Sequence, residues 1–116
     1  MVRCKRPLFV VLALGAAASG SGLDEAAVQA LYKAKCQACH LADGNAPIKE
    51  MNFTDSEWQH GGKLAEIKKV IEDGVAGKPM LPFKSQLSPE EIDALARYVR
   101  AFDKKLKPDP PPKGDR

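Results

Sequence analysis

Cys36-Gln37-Ala38-Cys39-His40 is the stretch on which the reading of this chain turns. Its form is C-x-x-C-H, the pattern of a c-type haem attachment site. The demand is geometric. Two thiols at this spacing on a short helical turn reach two vinyl groups at one edge of a porphyrin. An imidazole on the next residue then falls beneath the metal. On this reading Cys36 and Cys39 form thioether links, His40 is an axial iron ligand, and the cofactor is one covalently attached haem c. The same residues admit two other readings. A thiol–disulfide oxidoreductase would need the cysteine pair beside a βαβ pattern. A zinc site would need four ligands, which Cys36, Cys39, His40 and His60 supply only with poor spacing.

Upstream of the motif the chain opens on Arg3, Lys5 and Arg6. An apolar run from Leu8 to Ala18 follows, and then the small residues Ser19-Gly20-Ser21-Gly22. This is the layout of a secretory signal peptide over residues 1–22, cleaved between about 18 and 22. The alternative, an uncleaved anchor, fits less well: an apolar helix of this size spans about 16 Å, against a hydrocarbon core of about 30 Å. Cleavage removes Cys4 and leaves the motif cysteines as the only thiols, which suits an oxidising, extracytoplasmic compartment such as the periplasm.

Cleavage also changes the charge. The full chain carries a net +3, but loss of Arg3, Lys5 and Arg6 leaves fifteen basic side chains against 15 acidic ones. A near-neutral mature protein gives no support to a nucleic-acid partner. Residues 97–116 are locally basic, with Arg97, Arg100, Lys104, Lys105, Lys107, Lys113 and Arg116 against Asp103, Asp109 and Asp115. A solvated helix end explains that excess more simply than a docking patch for an acidic redox partner does.

Downstream of the leader, residues 23–106 read as one all-α domain. The first helix runs from about Asp24, a capping residue, to Lys35, with Ala27, Val28, Leu31 and Tyr32 on one face. It leads directly into the cysteine motif. The second covers about Lys63 to Asp73, with Leu64, Ile67, Val70 and Ile71 at helical spacing and Gly74 as its stop. Ser88-Pro89-Glu90-Glu91 is a capping box with proline at the first helical position. It opens a third helix with a stripe of Ile92, Leu95, Ala96, Val99 and Phe102. A short helical turn is predicted at Thr54–Trp58 on the same capping pattern. No stretch alternates as a strand. Residues 107–116, with Pro108, Pro110, Pro111 and Pro112, read as an extended tail. So small a core leaves room for a porphyrin to act as part of it.

The second axial position decides what an attached haem does. Met80 lies in Lys78-Pro79-Met80-Leu81-Pro82-Phe83, where prolines on both sides stiffen the backbone and hold the thioether in place without a helix. Sulfur opposite histidine suits iron and raises its potential. Met51 is the alternative sulfur, since the chain between it and His40 could extend about 36 Å. His60 sits in the glycine-rich Gln59-His60-Gly61-Gly62 and suits a surface or propionate-side role better.

From Asp24 to about Phe102 the chain resembles the class I, monohaem cytochromes c of short bacterial type. The likeness rests on the N-terminal helix entering Cys36–His40, on Gly44 and Pro47-Ile48, on the loop Met80-Leu81-Pro82-Phe83, and on the helix opened by Leu87-Ser88-Pro89 and carrying Tyr98 and Phe102. It implies a small fold of three or four helices around the haem, in which the first and last helices cross near its edge. It also implies that the Pro47 carbonyl accepts from His40 Nδ1–H. Trp58 either turns its indole N–H toward a propionate or serves as an ordinary core aromatic.

With both axial positions filled, iron has no open site for substrate. The leading expectation is therefore an electron carrier rather than an enzyme, passing one electron between redox proteins of the periplasm or respiratory chain. It has no membrane span once the leader is cleaved. A peroxidase or gas sensor is the alternative if Met80 is labile.

Overall fold

The computed structural model describes residues 23–108. The leader at 1–22 and most of the proline-rich tail lie outside the described residues. Four α-helices follow one another in the chain: α1 (Glu25–Lys35), α2 (Gln37–His40), α3 (Leu64–Asp73) and α4 (Pro89–Arg100). One 3-10 turn, Lys49–Met51, lies between α2 and α3. Among the described residues there is no strand, so the cysteine pair has no βαβ setting of the thioredoxin kind. Nor is any of these helices long and apolar enough to cross a membrane.

Each long helix begins where its sequence says it should. The Asp24 carboxylate accepts from the Ala27 N–H at 2.8 Å and so satisfies one of the donors orphaned at the start of α1. In α4 the capping box is complete. Ser88 Oγ accepts from Glu91 N–H at 3.1 Å, and Ser88 N–H donates to the Glu91 carboxylate at 2.8 Å. Pro89 follows at the first helical position, where a missing N–H costs nothing. α3 has a weaker start, the Lys63 N–H reaching the Glu66 carboxylate at 3.3 Å. It ends at Gly74, whose φ of 66° lies in the left-handed region.

α4 is the central element, packed against both α1 and α3. Val28 and Tyr32 from α1, Ile67 and Ile71 from α3, and Ile92, Leu95, Ala96 and Val99 from α4 form one buried cluster, joined by Leu87. These residues fall on the helix faces that the apolar spacing predicts. The α1–α4 crossing is aromatic. Tyr32 lies 5.0 Å from Tyr98 and 5.5 Å from Phe102 between ring centroids, both tilted, which suits the quadrupoles of such rings.

The helical turn expected at Thr54–Trp58 does not form. Ser56 adopts φ 62°, outside the right-handed helical region. The backbone there is held instead by side chains, with Thr54 N–H donating to Asn52 Oδ1 at 2.7 Å and Glu57 N–H to Asp55 Oδ1 at 3.0 Å. Short polar side chains that bond the backbone two residues on compete with helix formation, and here they prevail.

Candidate functional site

α1 does not run unbroken through the cysteine motif. Cys36 closes it, with its N–H on the Tyr32 carbonyl at 2.8 Å, and its own φ of −123° breaks the helical path. Gln37–His40 then forms a separate single turn. That turn gathers the motif. His40 N–H and Cys39 N–H both donate to the Cys36 carbonyl, at 3.0 and 3.2 Å. Cys36 is half-buried and Cys39 exposed, and no disulfide joins them. Burial and the neighbouring Cys39 push the Cys36 thiol up to about 11, so it stays protonated.

The His40 imidazole is held on two sides. Nδ1 lies 2.7 Å from the Met51 carbonyl oxygen. A carbonyl can only accept, so Nδ1 carries the proton and Nε2 keeps its lone pair. The ring also stacks on Phe53, with centroids 4.2 Å apart and planes 19° from parallel. Burial depresses its pKa despite the opposing pull of the Met51 hydrogen bond, which keeps the imidazole neutral.

Here the structure corrects one expectation. The acceptor for His40 Nδ1–H is Met51, not Pro47. In the 3-10 turn the Met51 N–H donates to Ile48 and the Asn52 N–H to Lys49, so the turn leaves the Met51 carbonyl free to meet the ring. Pro47 is solvent-exposed.

The residue after the motif is strained. Leu41 has φ 62° and ψ 165°, a region that side chains avoid. Its carbonyl accepts from Tyr32 Oη–H at 2.6 Å, and its N–H donates to Gln37 at 2.9 Å. Tyr32 is 1 % exposed, and burial raises its phenol pKa well above the ordinary value, so it stays a donor. Sequence spacing marks Tyr32 only as a core face residue. The contact from its hydroxyl to the turn beyond His40 has no local signature.

Met80 is half-buried in the loop between α3 and α4. The loop is folded back on itself. Val75 N–H donates to the Met80 carbonyl at 3.1 Å, and Phe83 N–H donates to Ile71 at 2.9 Å. Gly74 lies so close that a Cβ there would sit 2.6 Å from the Met80 carbonyl oxygen. Leu81 beside it is 63 % exposed.

Of the two readings of Trp58, the structure matches the core aromatic, packed against the buried cluster. Its indole N–H donates to Asp103 Oδ2 at 3.0 Å rather than turning toward a propionate. Asp103 is 1 % exposed and also accepts from Ser56 Oγ and from Lys105 N–H, each at 3.0 Å on Oδ1. Burial alone would raise its carboxyl pKa. The hydrogen bonds from Trp58, Lys105 and Ser56 outweigh that and bring it below the ordinary carboxylate range. Asp103 also lines an open cavity of about 540 Å³, together with Asp43, Asn45, Thr54, Phe102, Lys104 and Lys105.

This donor set suits a covalently held haem: two unpaired thiols, a neutral imidazole with a free Nε2, and a thioether on a braced loop. It does not suit zinc. Among the described residues no three or more His, Cys, Asp or Glu side chains come together as metal ligands.

Known proteins agree with this chemistry. The family profile described as cytochrome c oxidase, cbb3-type, subunit III matches residues 24–99. The cbb3-type cytochrome c oxidase subunit FixP of Bradyrhizobium is 35 % identical over 83 residues, covering 70 % of this chain and 28 % of its own length. This chain thus spans about a quarter of such oxidase subunits. Cytochrome c6 of Rippkaea orientalis is 33 % identical over 67 % of this chain and 70 % of its own. Among solved structures, cytochrome c6 of the diatom Phaeodactylum tricornutum matches with a TM-score of 0.56 at 29 % identity, covering 67 % of this chain and 92 % of that one. The c-type cytochrome KustC0563 matches at 0.54 and 37 %, covering 65 % of this chain and 95 % of its own. The chain belongs to the family of that profile, as a small cytochrome c of class I whose cofactor is covalently bound haem c with its iron.

Proposed function

We propose that this chain is an exported single-haem cytochrome that shuttles one electron between extracytoplasmic redox proteins of a respiratory chain. Cys36 and Cys39 would hold the haem by thioether links, and His40 and Met80 would bind its iron. The observation that carries this reading is the 2.7 Å contact from His40 Nδ1 to the Met51 carbonyl. A metal-bound histidine commonly has its other nitrogen fixed in this way, which sets the tautomer and makes the ring a stronger donor. When bound, the haem supplies an iron that passes between ferrous and ferric states.

The chain's own residues orient and shield. Tyr32 clamps the turn after His40, Phe53 covers one face of the imidazole, and the Gly74–Phe83 loop braces Met80. The Met51 backbone supports Met80 over Met51 as the second ligand. It lies against the Nδ1 edge of His40, on the side of the ring remote from Nε2. Met51 thus serves His40 through its backbone, which leaves Met80 as the sulfur free to be a second ligand. The likeness to cbb3-type oxidase subunits supports a respiratory setting, with a terminal oxidase or its electron donor as the partner class.

Visible spectra of the matured protein test the assignment in both oxidation states. Wild type is expected to show low-spin haem c with the far-red band of sulfur–iron coordination. Met80→Ala should lose that band with the haem still attached, and Met51→Ala should keep it. The reverse pattern would move the ligand to Met51.

A further inference from the structure

Beyond the two axial ligands, an unbroken series of side chains joins His40 to the far end of α4. The His40 ring stacks on Phe53. Phe53 stacks in turn on Trp58, with centroids 5.6 Å apart and planes 17° from parallel, and lies 6.2 Å from Phe102 with planes 5° apart. The Trp58 N–H is fastened to Asp103. Asp103 follows α4 closely, its N–H on the Arg100 carbonyl at 3.2 Å. Opposite the indole, Gly62 leaves no room for slack, since a Cβ there would sit 3.0 Å from Trp58 Cδ1.

A buried carboxylate is costly unless several donors meet it. Here three do: two on Oδ1 and the indole on Oδ2. Ser56 is exposed, so the helix-breaking loop spends a surface hydroxyl on an interior acid. The arrangement fixes the indole plane by a directional bond, and the indole plane limits how Phe53 can tilt. Phe53 lies flat on the imidazole. The Met51 carbonyl pins one edge of that imidazole, which leaves rotation about the remaining axis to be stopped by the ring packed on its face.

We infer that Asp103 is a positioning residue for the His40 imidazole, acting through Trp58 and Phe53 to set the plane of that ring. This rests on the reading of His40 as an axial ligand. The orientation of an imidazole bound to haem iron bears on which iron orbital holds the unpaired electron, so the column would adjust the electronic structure of the haem through His40. A buried negative charge at its end also favours the ferric state.

The experiment uses the full, haem-loaded protein and the single substitutions Asp103→Asn, Trp58→Phe and Phe53→Leu. Asparagine cannot accept on both sides, so one of the three donors loses its partner. Phenylalanine keeps the stacked ring but removes the indole N–H. Each variant is read by far-ultraviolet circular dichroism, by electron paramagnetic resonance of the ferric form and by redox titration. Helix content is expected to hold while the principal g values shift in all three variants, with Asp103→Asn also moving the reduction potential upward. If Asp103→Asn does not fold, Trp58→Phe decides. Wild-type g values in the folded variants would overturn the column alone. A low-spin histidine signature surviving in His40→Ala would overturn the ligand assignment instead.

Discussion

At the scale of single residues, two backbone positions bear on the site. Leu41 stands in a left-handed conformation that its side chain disfavours, at a cost of about 1–3 kcal/mol. Tyr32 holds it there with a hydroxyl that has no contact with water to give up. Gly74 is the reverse case, a position that only glycine can fill. Its φ is 66°, and an added methyl would press on the Met80 carbonyl and on the backbone of Leu81 and Pro82 at 2.6–2.8 Å. Main-chain atoms cannot swing aside as a side chain would. Gly74→Ala is therefore expected to destabilise the protein by about 1–3 kcal/mol. It should also weaken the sulfur–iron band, because the loop carrying Met80 must move. Urea titration beside a visible spectrum checks both, and a wild-type midpoint with a wild-type band would refute the account.

At the scale of elements, α4 organises the rest. It presents Ile92, Leu95, Ala96 and Val99 to α1 and α3 together, so fraying of its start is felt in both interfaces. The capping box at Ser88 guards that start. Ser88→Ala is expected to lower stability by about 1 kcal/mol, the usual cost of losing a hydroxyl cap. The haem spectrum should not change, since the cap lies at the end of α4 remote from Asp103. Denaturant unfolding followed by circular dichroism and by haem absorbance separates the two effects. The ion pair joining α3 to α4, Lys68 to Asp93 at 3.2 Å, and the pair within α4, Arg97 to Asp93 at 2.9 Å, are partly exposed and contribute less.

At the scale of the whole molecule, the apolar cluster is small and several large apolar side chains lie outside it. Ile48 is 52 % exposed, Leu81 63 % and Leu41 40 %, and the last two neighbour the proposed iron ligands. They are apolar surface of the kind against which a porphyrin can pack. Long-range closure depends on Asp103, which ties the end of α4 to the Ser56–Trp58 loop. Its carboxyl pKa is lower folded than the ordinary value of about 3.9. The stability it contributes is thus fully present above that ordinary value and is lost as pH falls through the lower, folded one. Asp103→Asn should begin less stable at neutral pH yet lose stability less steeply in acid. Unfolding midpoints measured from pH 7 down to about pH 2 check the sign. An equal acid slope in variant and wild type would show that the carboxylate contributes nothing.

What the sequence determined by itself is whatever repeats over three or four residues. The thiols and imidazole of Cys36–His40 lie within five residues, close enough for a single turn to gather them. Asp24, Ser88 and Gly74 act as caps and stop because each answers a need of the adjacent helix end. The buried faces of α1, α3 and α4 follow from apolar period. Tertiary structure alone decided which groups meet across the chain. The His40 ring found the Met51 carbonyl eleven residues on, where the family likeness implied Pro47, and Trp58 found Asp103 at a separation of 45. Such partners leave no mark on local spacing. A carbonyl is identical at every position, and an aspartate in a basic stretch looks like a surface charge until the loop closes over it. The haem motif was legible because covalent chemistry demands a fixed pattern. The surroundings that hold its histidine were not, because hydrogen bonding and ring stacking accept any residue that the fold delivers.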